Sequence, residues 1–578
     1  MLLIQDKLKE TLGTIPASAR EAAQSARSYL DAGQIGKAIA SAVAAVQMQP
    51  DLVDAWLVLG IASRYRQAYD KAEAALSRVL TLAPRNFEAA KELSIVSYER
   101  GDYEVAVQRF RSARALAPGD PALAWLELLA HPKFLADAEQ AHVAVARFVA
   151  NLEAAADIVR THPQWPEALK VATWIPPFHL HYYALDTEAL SWRFGDLMAE
   201  VVNVHAPELR ARIEGPEASP SRRRIGFVSS ALREHTIMRY FREWLLRMNS
   251  ARFDLRLWNL GDDDGVTETI GARIPITQIF GAPDTLAIAR SIRDAQLDVL
   301  VHLDVGMNGS TNVLAAMRLA PVQCAAYGHP VTTGSPCIDY FLSGDAMEPA
   351  DADAHYRERL VRLPGLGVIP QRPPIAGDGT WLPRDSKRPL MLCVQNLIKI
   401  VPEFDVLLAR IAKRSDAIVV FLENEPTMVA RFRARLEKSC VGENIAFDNH
   451  FRIIPKRNLA EYMGGLAACD LVLDSIHFSG GSTSLDVLSL GTPLVTLEGN
   501  RMRGRQTAGM LRMLGVDELI ATDADGYVDL AVALATDRPR CDELRRRLLA
   551  TQDRLFSDKR VMPALEAFLT NVMPRVQA

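Results

Sequence analysis

The stretch DLVLDSIHFSGGSTSLDVLSLGTPLVTLEG, from Asp470 to Gly499, carries the signals of a complete βαβ unit. Leu471-Val-Leu-Asp474 is an apolar run stopped by a carboxylate, which predicts a short buried strand. Ser479-Gly480-Gly481-Ser482-Thr483-Ser484 follows, and then Leu485, Val487, Leu488 and Leu490 recur at helical spacing. Gly491-Thr492-Pro493 closes that helix, and Leu494-Val-Thr-Leu497 predicts a second strand. A glycine-rich turn between strand and helix offers bare backbone N–H groups, hydroxyls and the positive end of a helix, which together suit a phosphate. Asp486 lies one turn inside, where a carboxylate suits a ribose hydroxyl pair. A plain turn with an N-cap is the competing reading of the same residues.

The strand–helix alternation extends in both directions. Ile225–Ser229, Leu255–Leu260, Leu297–Leu303 and Val322–Tyr327 are short apolar runs separated by helical stretches, and Ile338–Leu342 and Leu360–Leu363 add two more. Residues Arg372 to Arg388 are rich in Pro, Gly and charge and predict a loop. A second series follows at Leu390–Val394, Ala417–Leu422, Leu471–Asp474, Leu494–Leu497 and Leu519–Ala521. Two parallel, doubly wound sheets are expected, with a cleft between the C-terminal ends of their strands.

Polar groups fall where such a cleft would need them. His235 follows the first strand of the first series, and His329 follows another in Tyr327-Gly-His-Pro-Val-Thr-Thr. Asn396 and Lys399 follow the first strand of the second series. Transfer from a diphosphate-linked group suits this set. Lys399 would neutralise the leaving phosphates and Ser482-Thr483 would hold them. His235, next to a carboxylate and a hydroxyl, would orient the acceptor or take its proton. His329, between a glycine and a proline, suits a fixed hydrogen bond better than proton shuttling.

The N-terminal fifth is organised differently. Pro50, Pro84 and Pro118 are spaced by 34 residues, as are Ala38, Ala72 and Ala106. This period, with Trp56, Leu59 and Gly60 ahead of Ala72, Leu76 and Pro84, is the tetratricopeptide signature. Such arrays bind peptides or protein partners. Residues 119 to about 215 continue helix-rich and hold His179 and His181 on either side of Leu180, more as packing groups than as metal ligands. Gly215 to Pro220 is a turn-rich linker.

Composition bounds the rest. A chain of 578 residues exceeds one core. Net charge of −4 points to neither nucleic acid nor an acidic membrane as partner. Six cysteines without a CxxC pair fit a reducing compartment rather than a disulfide framework or zinc site. MLLIQDKLKETLG lacks the features of a signal peptide, and no window is apolar enough to span a membrane. A cytoplasmic location is expected.

Repeats followed by GFVSSALREH, AYGHPVTTGSPCIDYFLSGDAMEP, VQNLIKI and GGSTSLDVLSLGTPLVTLEG resemble the O-GlcNAc transferase (SPINDLY-like) glycosyltransferase family. The likeness is strongest to its bacterial, repeat-containing members and covers roughly Arg224 to Asp537 in the catalytic motifs. It implies a GT-B fold with an inverting transferase site between two Rossmann-like halves. The division it suggests is repeats at 1–118, a helical connecting region at 119–220, an N-terminal catalytic half at 221–375 and a nucleotide-sugar-binding half at 376–578. By motif position His235 resembles the active-site histidine near the acceptor, and Lys399 the lysine on the departing nucleotide diphosphate. Ser482 and Thr483 match the phosphate-contacting hydroxyls, and Asp486 the ribose carboxylate. Gly481 departs from the histidine that many members carry there, and His477, four residues earlier, is a candidate substitute.

The implied function is transfer of GlcNAc or glucose from a UDP-linked donor, without metal or cofactor, onto Ser/Thr or Asn side chains of a protein recruited by the repeats. Two alternatives are a flagellin glycosyltransferase using a CMP-linked nonulosonic acid and a non-catalytic repeat scaffold. Monomer and homo-oligomer both stay open.

Overall fold

The computed structural model describes residues 18–183, 185–214, 222–278, 284–373, 377–383, 385, 387–423 and 426–574. The N-terminal segment and the linker at 215–220 discussed above lie outside them. The described chain separates into two compact units.

The first unit is built from paired helices. Ala19–Asp31 and Ile35–Met48, Val53–Tyr65 and Tyr69–Leu82, and Phe87–Glu99 and Tyr103–Leu116 form three helix–turn–helix pairs, and Pro121–Leu129 follows them. The periodic alanines Ala38, Ala72 and Ala106 are all fully buried, which lets the helices approach closely. Asn86 and Asp120 cap the helices that follow Pro84 and Pro118, accepting from Ala89 N–H and Leu123 N–H. Residues set aside in the sequence as a connecting region divide between the units. Residues 119–132 and 153–171 pack with the repeats, whereas 133–152 and 172 onward belong with the sheets.

The second unit holds two parallel sheets, which among the described residues have seven and six strands. The first comprises β1 (Arg223–Ser229), β2 (Phe253–Asn259), β3 (Ile276–Gln278), β4 (Val299–His302), β5 (Val322–Ala326), β6 (Tyr340–Gly344) and β7 (Arg359–Leu363). Their order is β3-β2-β1-β4-β5-β6-β7. The second comprises β8 (Leu390–Cys393), β9 (Ile418–Leu422), β10 (Phe451–Ile454), β11 (Leu471–Leu473), β12 (Leu494–Leu497) and β13 (Ile520–Ala521), ordered β10-β9-β8-β11-β12-β13. Both orders reverse direction once, between β1 and β4 and between β8 and β11, and such switch points are where open α/β sheets bind ligands. The central strands β4, β5, β6 and β8 are buried along their whole length, as strands covered on both faces must be.

Two strands escape the sequence reading. β3 and β10 are edge strands, one of three residues and one largely half-exposed, so neither carries a buried apolar run. The C-terminal helix Val561–Asn571 also returns to the first sheet. Arg223 donates to the carbonyls of Leu569 and Thr570, and Tyr340 Oη donates to Met573 O at 3.0 Å. All six cysteines are buried and free of disulfides.

Candidate active site at the two switch points

The glycine loop is assembled around a carboxylate. Asp474, just past β11, is buried and accepts from Gly480 N–H at 2.7 Å, Thr496 Oγ1 at 2.8 Å and Gln395 Nε2 at 3.2 Å. Ser475 Oγ donates to Phe478 O, and Ser479 N–H to Arg503 O. Tied at so many points, the loop can hold His477 at a left-handed φ of 66°, which a non-glycine residue rarely adopts. The helix Ser482–Ser489 starts directly after, with Gly481 as N-cap and no side chain capping its first N–H groups. That leaves backbone donors at the positive end of the helix, as an anion requires.

Side chains converge on this terminus. Thr483 Oγ1 accepts from Gln395 Nε2 at 2.9 Å, which leaves its own proton free to donate. Ser482 Oγ lies 3.3 Å from Thr236 Oγ1 of the first half. Gln395, not Asn396, is therefore the residue after β8 that reaches the loop. Asn396 is exposed, and its side chain accepts from Ile398 N–H at 3.1 Å, capping the short turn Leu397–Lys399. It presents Lys399 rather than contacting the loop. Lys399 Nζ stands 4.5 Å from the centre of the Phe478 ring and 5.8 Å from that of Tyr182. Burial lowers its pKa to about 8, with the negative charge of Asp474 opposing the drop.

Asp486, expected to hold the ribose, has a partner within the protein. It is buried and paired with the guanidinium of Arg239, on the helix Thr236–Arg247 of the first half, with the second contact at 3.3 Å. One turn into the helix, its side chain points across to the other half. Burial raises its pKa and Arg239 pulls it back. His477 does not fill the place beside Gly481 either. It lines a small cleft with Tyr183, Asp186, Asn500, Arg501 and Arg503, and a β-carbon on Gly481 would meet Tyr240 Oη at 2.3 Å.

Opposite the loop stand the ends of β1 and β4. His235 is the N-cap of Thr236–Arg247, and its Nδ1 accepts from Ile237 N–H at 3.3 Å. Burial and then Arg233 lower its pKa, so the ring is neutral and carries its proton on Nε2. In that tautomer the remaining lone pair is already engaged by the helix. From Nε2 the ring can donate a hydrogen bond into the cleft, which suits orienting an acceptor. His329 is buried, with its ring 4.9 Å from Phe178, 5.1 Å from His181 and stacked at 6.3 Å on Phe478. Burial, reinforced by the charges of Arg503 and Lys399, lowers its pKa to about 3. Its Nε2 has no hydrogen-bond partner among the described residues. It is a neutral group held in place by the rings around it.

The sequence reading passed over several residues of the cleft. Asp304, beyond β4, accepts from Ser230 N–H at 2.8 Å, Ser230 Oγ at 2.6 Å and Ser229 Oγ at 3.1 Å, which ties the two strand ends at the first switch point. The signal was present in Ser229-Ser230 and His302-Leu-Asp304, each just past a strand. The segment Phe178–Tyr182 lays Phe178, His181 and Tyr182 against His329 and Phe478. His181 Nδ1 bonds Thr187 Oγ1 at 2.8 Å, and no group of three or more His, Cys, Asp or Glu among the described residues could hold a metal ion.

Residues 24–86 and 63–121 match the tetratricopeptide repeat, and residues 172–369 and 387–563 match glycosyl transferase family 41. A probable UDP-N-acetylglucosamine–peptide N-acetylglucosaminyltransferase SPINDLY of Hordeum vulgare is 28% identical over 276 residues, 47% of this chain and 29% of the relative. The SEC counterpart of Arabidopsis thaliana is 25% identical over 354 residues, 58% of this chain and 35% of the relative. A UDP-glucose:protein N-beta-glucosyltransferase of Actinobacillus pleuropneumoniae is 28% identical over 273 residues, 46% of this chain and 42% of the relative. The chain thus spans well under half the length of these curated relatives. A solved mutant of the Thermobaculum terrenum O-GlcNAc transferase superposes over 96% of both chains with a TM-score of 0.69 at 22% identity, which establishes a shared GT-B fold behind helical repeats. With the family match running through both sheets and the glycine loop of the second, the chain belongs to glycosyl transferase family 41.

Proposed function

We propose that this protein transfers a sugar from a UDP-linked donor, GlcNAc or glucose, onto a Ser/Thr or Asn side chain of a protein recruited by the repeats. The observation that carries the reading is the uncapped N-terminus of Ser482–Ser489 with Ser482 and Thr483 beside it, at the switch point that also holds Lys399. The names of the plant and Actinobacillus relatives support the protein acceptor and the UDP-linked donor.

In this reading the acceptor atom attacks the anomeric carbon with inversion, and the bond to the diphosphate breaks. The electron pair leaves with the diphosphate oxygen, and the acceptor's proton passes to an oxygen of the departing diphosphate or to solvent. Charge growing there meets the helix N-terminus, the Thr483 hydroxyl and the Lys399 ammonium, whose charged form the incoming phosphates stabilise further. These groups do the work that a divalent ion would otherwise do. His235, through Nε2–H, orients the acceptor, and His329 holds a fixed contact nearby.

Thermal shift with UDP, GDP and CMP tests the donor class. A nucleotide at about 100 times its dissociation constant stabilises by about 2.7 kcal/mol. A shift with UDP, followed by sugar transfer to a peptide from the UDP-linked donor, is expected. A shift with CMP alone would replace the UDP donor by a CMP-linked one, and no shift with any of the three would refute a nucleotide-sugar site.

A further inference from the structure

The hydroxyl of Tyr240 is a buried polar group with no role in the account above. Tyr240 sits one turn into the helix Thr236–Arg247 and is 4% exposed. Its ring packs 5.6 Å from Tyr327 and 6.1 Å from Phe241, and these contacts fix the direction of the C–O bond. At the end of that bond, Oη is buried and has no hydrogen-bond partner among the described residues. An O–H shut away from water without an acceptor costs free energy, and a fold retains one where something else supplies the acceptor.

What Oη faces is informative. The point a β-carbon on Gly481 would occupy lies 2.3 Å from Oη and 3.1 Å from Gln506 Oε1. Gly481 is the N-cap of the eight-residue helix Ser482–Ser489, which lacks a side-chain cap. The hydroxyl of one half is therefore aimed at the bare helix terminus of the other, beside Ser482 and Thr483. Its neighbour Arg239 is committed to Asp486, and Thr236, on the same helix, reaches Ser482. Burial raises the phenol pKa, so the group keeps its proton and acts as a donor.

We propose that Tyr240 is a donor-binding residue whose Oη–H donates to a diphosphate oxygen of the nucleotide sugar, so that the phosphate site on the second half is completed by the first. The inference rests on the reading of the Ser482–Ser489 terminus as the diphosphate site. It also explains the glycine at 481. A side chain there would displace the tyrosine hydroxyl, so Gly481 and Tyr240 form a matched pair. The recognition is of phosphate and is blind to the base and the sugar.

Calorimetric titration of the full chain with UDP and GDP, and with uridine and guanosine as phosphate-free controls, tests the proposal. In Tyr240→Phe the diphosphate that wild type binds more tightly should bind about tenfold more weakly or worse, equivalent to about 1.4 kcal/mol. Nucleoside binding and the melting temperature of the unliganded protein should not fall, because no internal hydrogen bond is removed. Gly481→Ala should weaken diphosphate binding in the wild-type background and have little further effect in Tyr240→Phe. Unchanged diphosphate affinity in Tyr240→Phe, or additive effects of the two substitutions, would overturn the role of Tyr240 while leaving the diphosphate site standing. A lowered melting temperature with unchanged affinity would make the hydroxyl structural. Wild type that binds neither UDP nor GDP would overturn the diphosphate site itself, and the role of Tyr240 with it.

Discussion

Replacing Lys399 with methionine should make the unliganded protein more stable and the enzyme much slower. The ammonium sits over the Phe478 ring, and burial lowers its pKa from 10.5 to about 8. That difference corresponds to about 3 kcal/mol of bias against the charged amine in the fold. Methionine keeps the length of the stem and its packing on the ring without that penalty. The sign follows from proton binding. Between pH 8 and 10.5 the unfolded chain holds more protons at this position than the folded one, so wild-type stability rises with pH across that window. The advantage of Lys399→Met is therefore full below about pH 8 and disappears by about pH 10.5. Turnover moves the other way. Charge on the departing diphosphate develops mainly in the transition state, so kcat should fall about 10²–10³-fold while UDP affinity falls far less. Urea unfolding at pH 7 and pH 10, with steady-state kinetics on a peptide acceptor, reads both effects. A variant less stable than wild type at pH 7 and near wild type in turnover would show that Lys399 is a packing residue.

Other perturbations probe the surrounding groups. His302 is fully buried with neither ring nitrogen partnered among the described residues, and its pKa is lowered to about 3. The unfolded chain therefore binds the extra proton between pH 6.5 and 3, and His302→Leu should gain on wild type by up to about 1.4 kcal/mol per pH unit below 6.5. A stability difference that stays constant from pH 7 to pH 5 would mean the imidazole is protonated normally. His235→Asn should keep the helix cap and wild-type stability, whereas His235→Ala should lose about 0.5–2 kcal/mol. Both should slow transfer without removing the acidic limb of the pH–rate profile, and loss of that limb would restore His235 as the base. Arg239→Leu should destabilise by about 3 kcal/mol, because it strands the buried Asp486 carboxylate. Unchanged denaturant stability would return Asp486 to the ribose.

Features set by neighbours in sequence were legible without a structure. The 34-residue period defines helices that start at Ala19, Val53 and Phe87 and at Ile35, Tyr69 and Tyr103, because a repeat packs on the next repeat and its pattern recurs in the chain. Strand, glycine turn and helix around Ser482 are likewise local, and so is the placement of Lys399 just past a strand. Edge strands β3 and β10 were not legible, since half-exposed strands carry no continuous apolar run. The partners of polar groups were hidden for a different reason. Asp486 meets Arg239 from 247 residues away, Thr236 meets Ser482 from 246, and Tyr240 fills the space left by Gly481. His235 Nδ1 is engaged by a hydrogen bond only two residues away, through a cap geometry that residue order does not reveal. Sequence alone thus determined the local elements and which strand ends would carry polar groups. Which of those side chains were already committed to a partner was decided when two separate sheets folded against one cleft, because a hydrogen bond or ion pair depends on ångström distances between groups that the chain order leaves far apart.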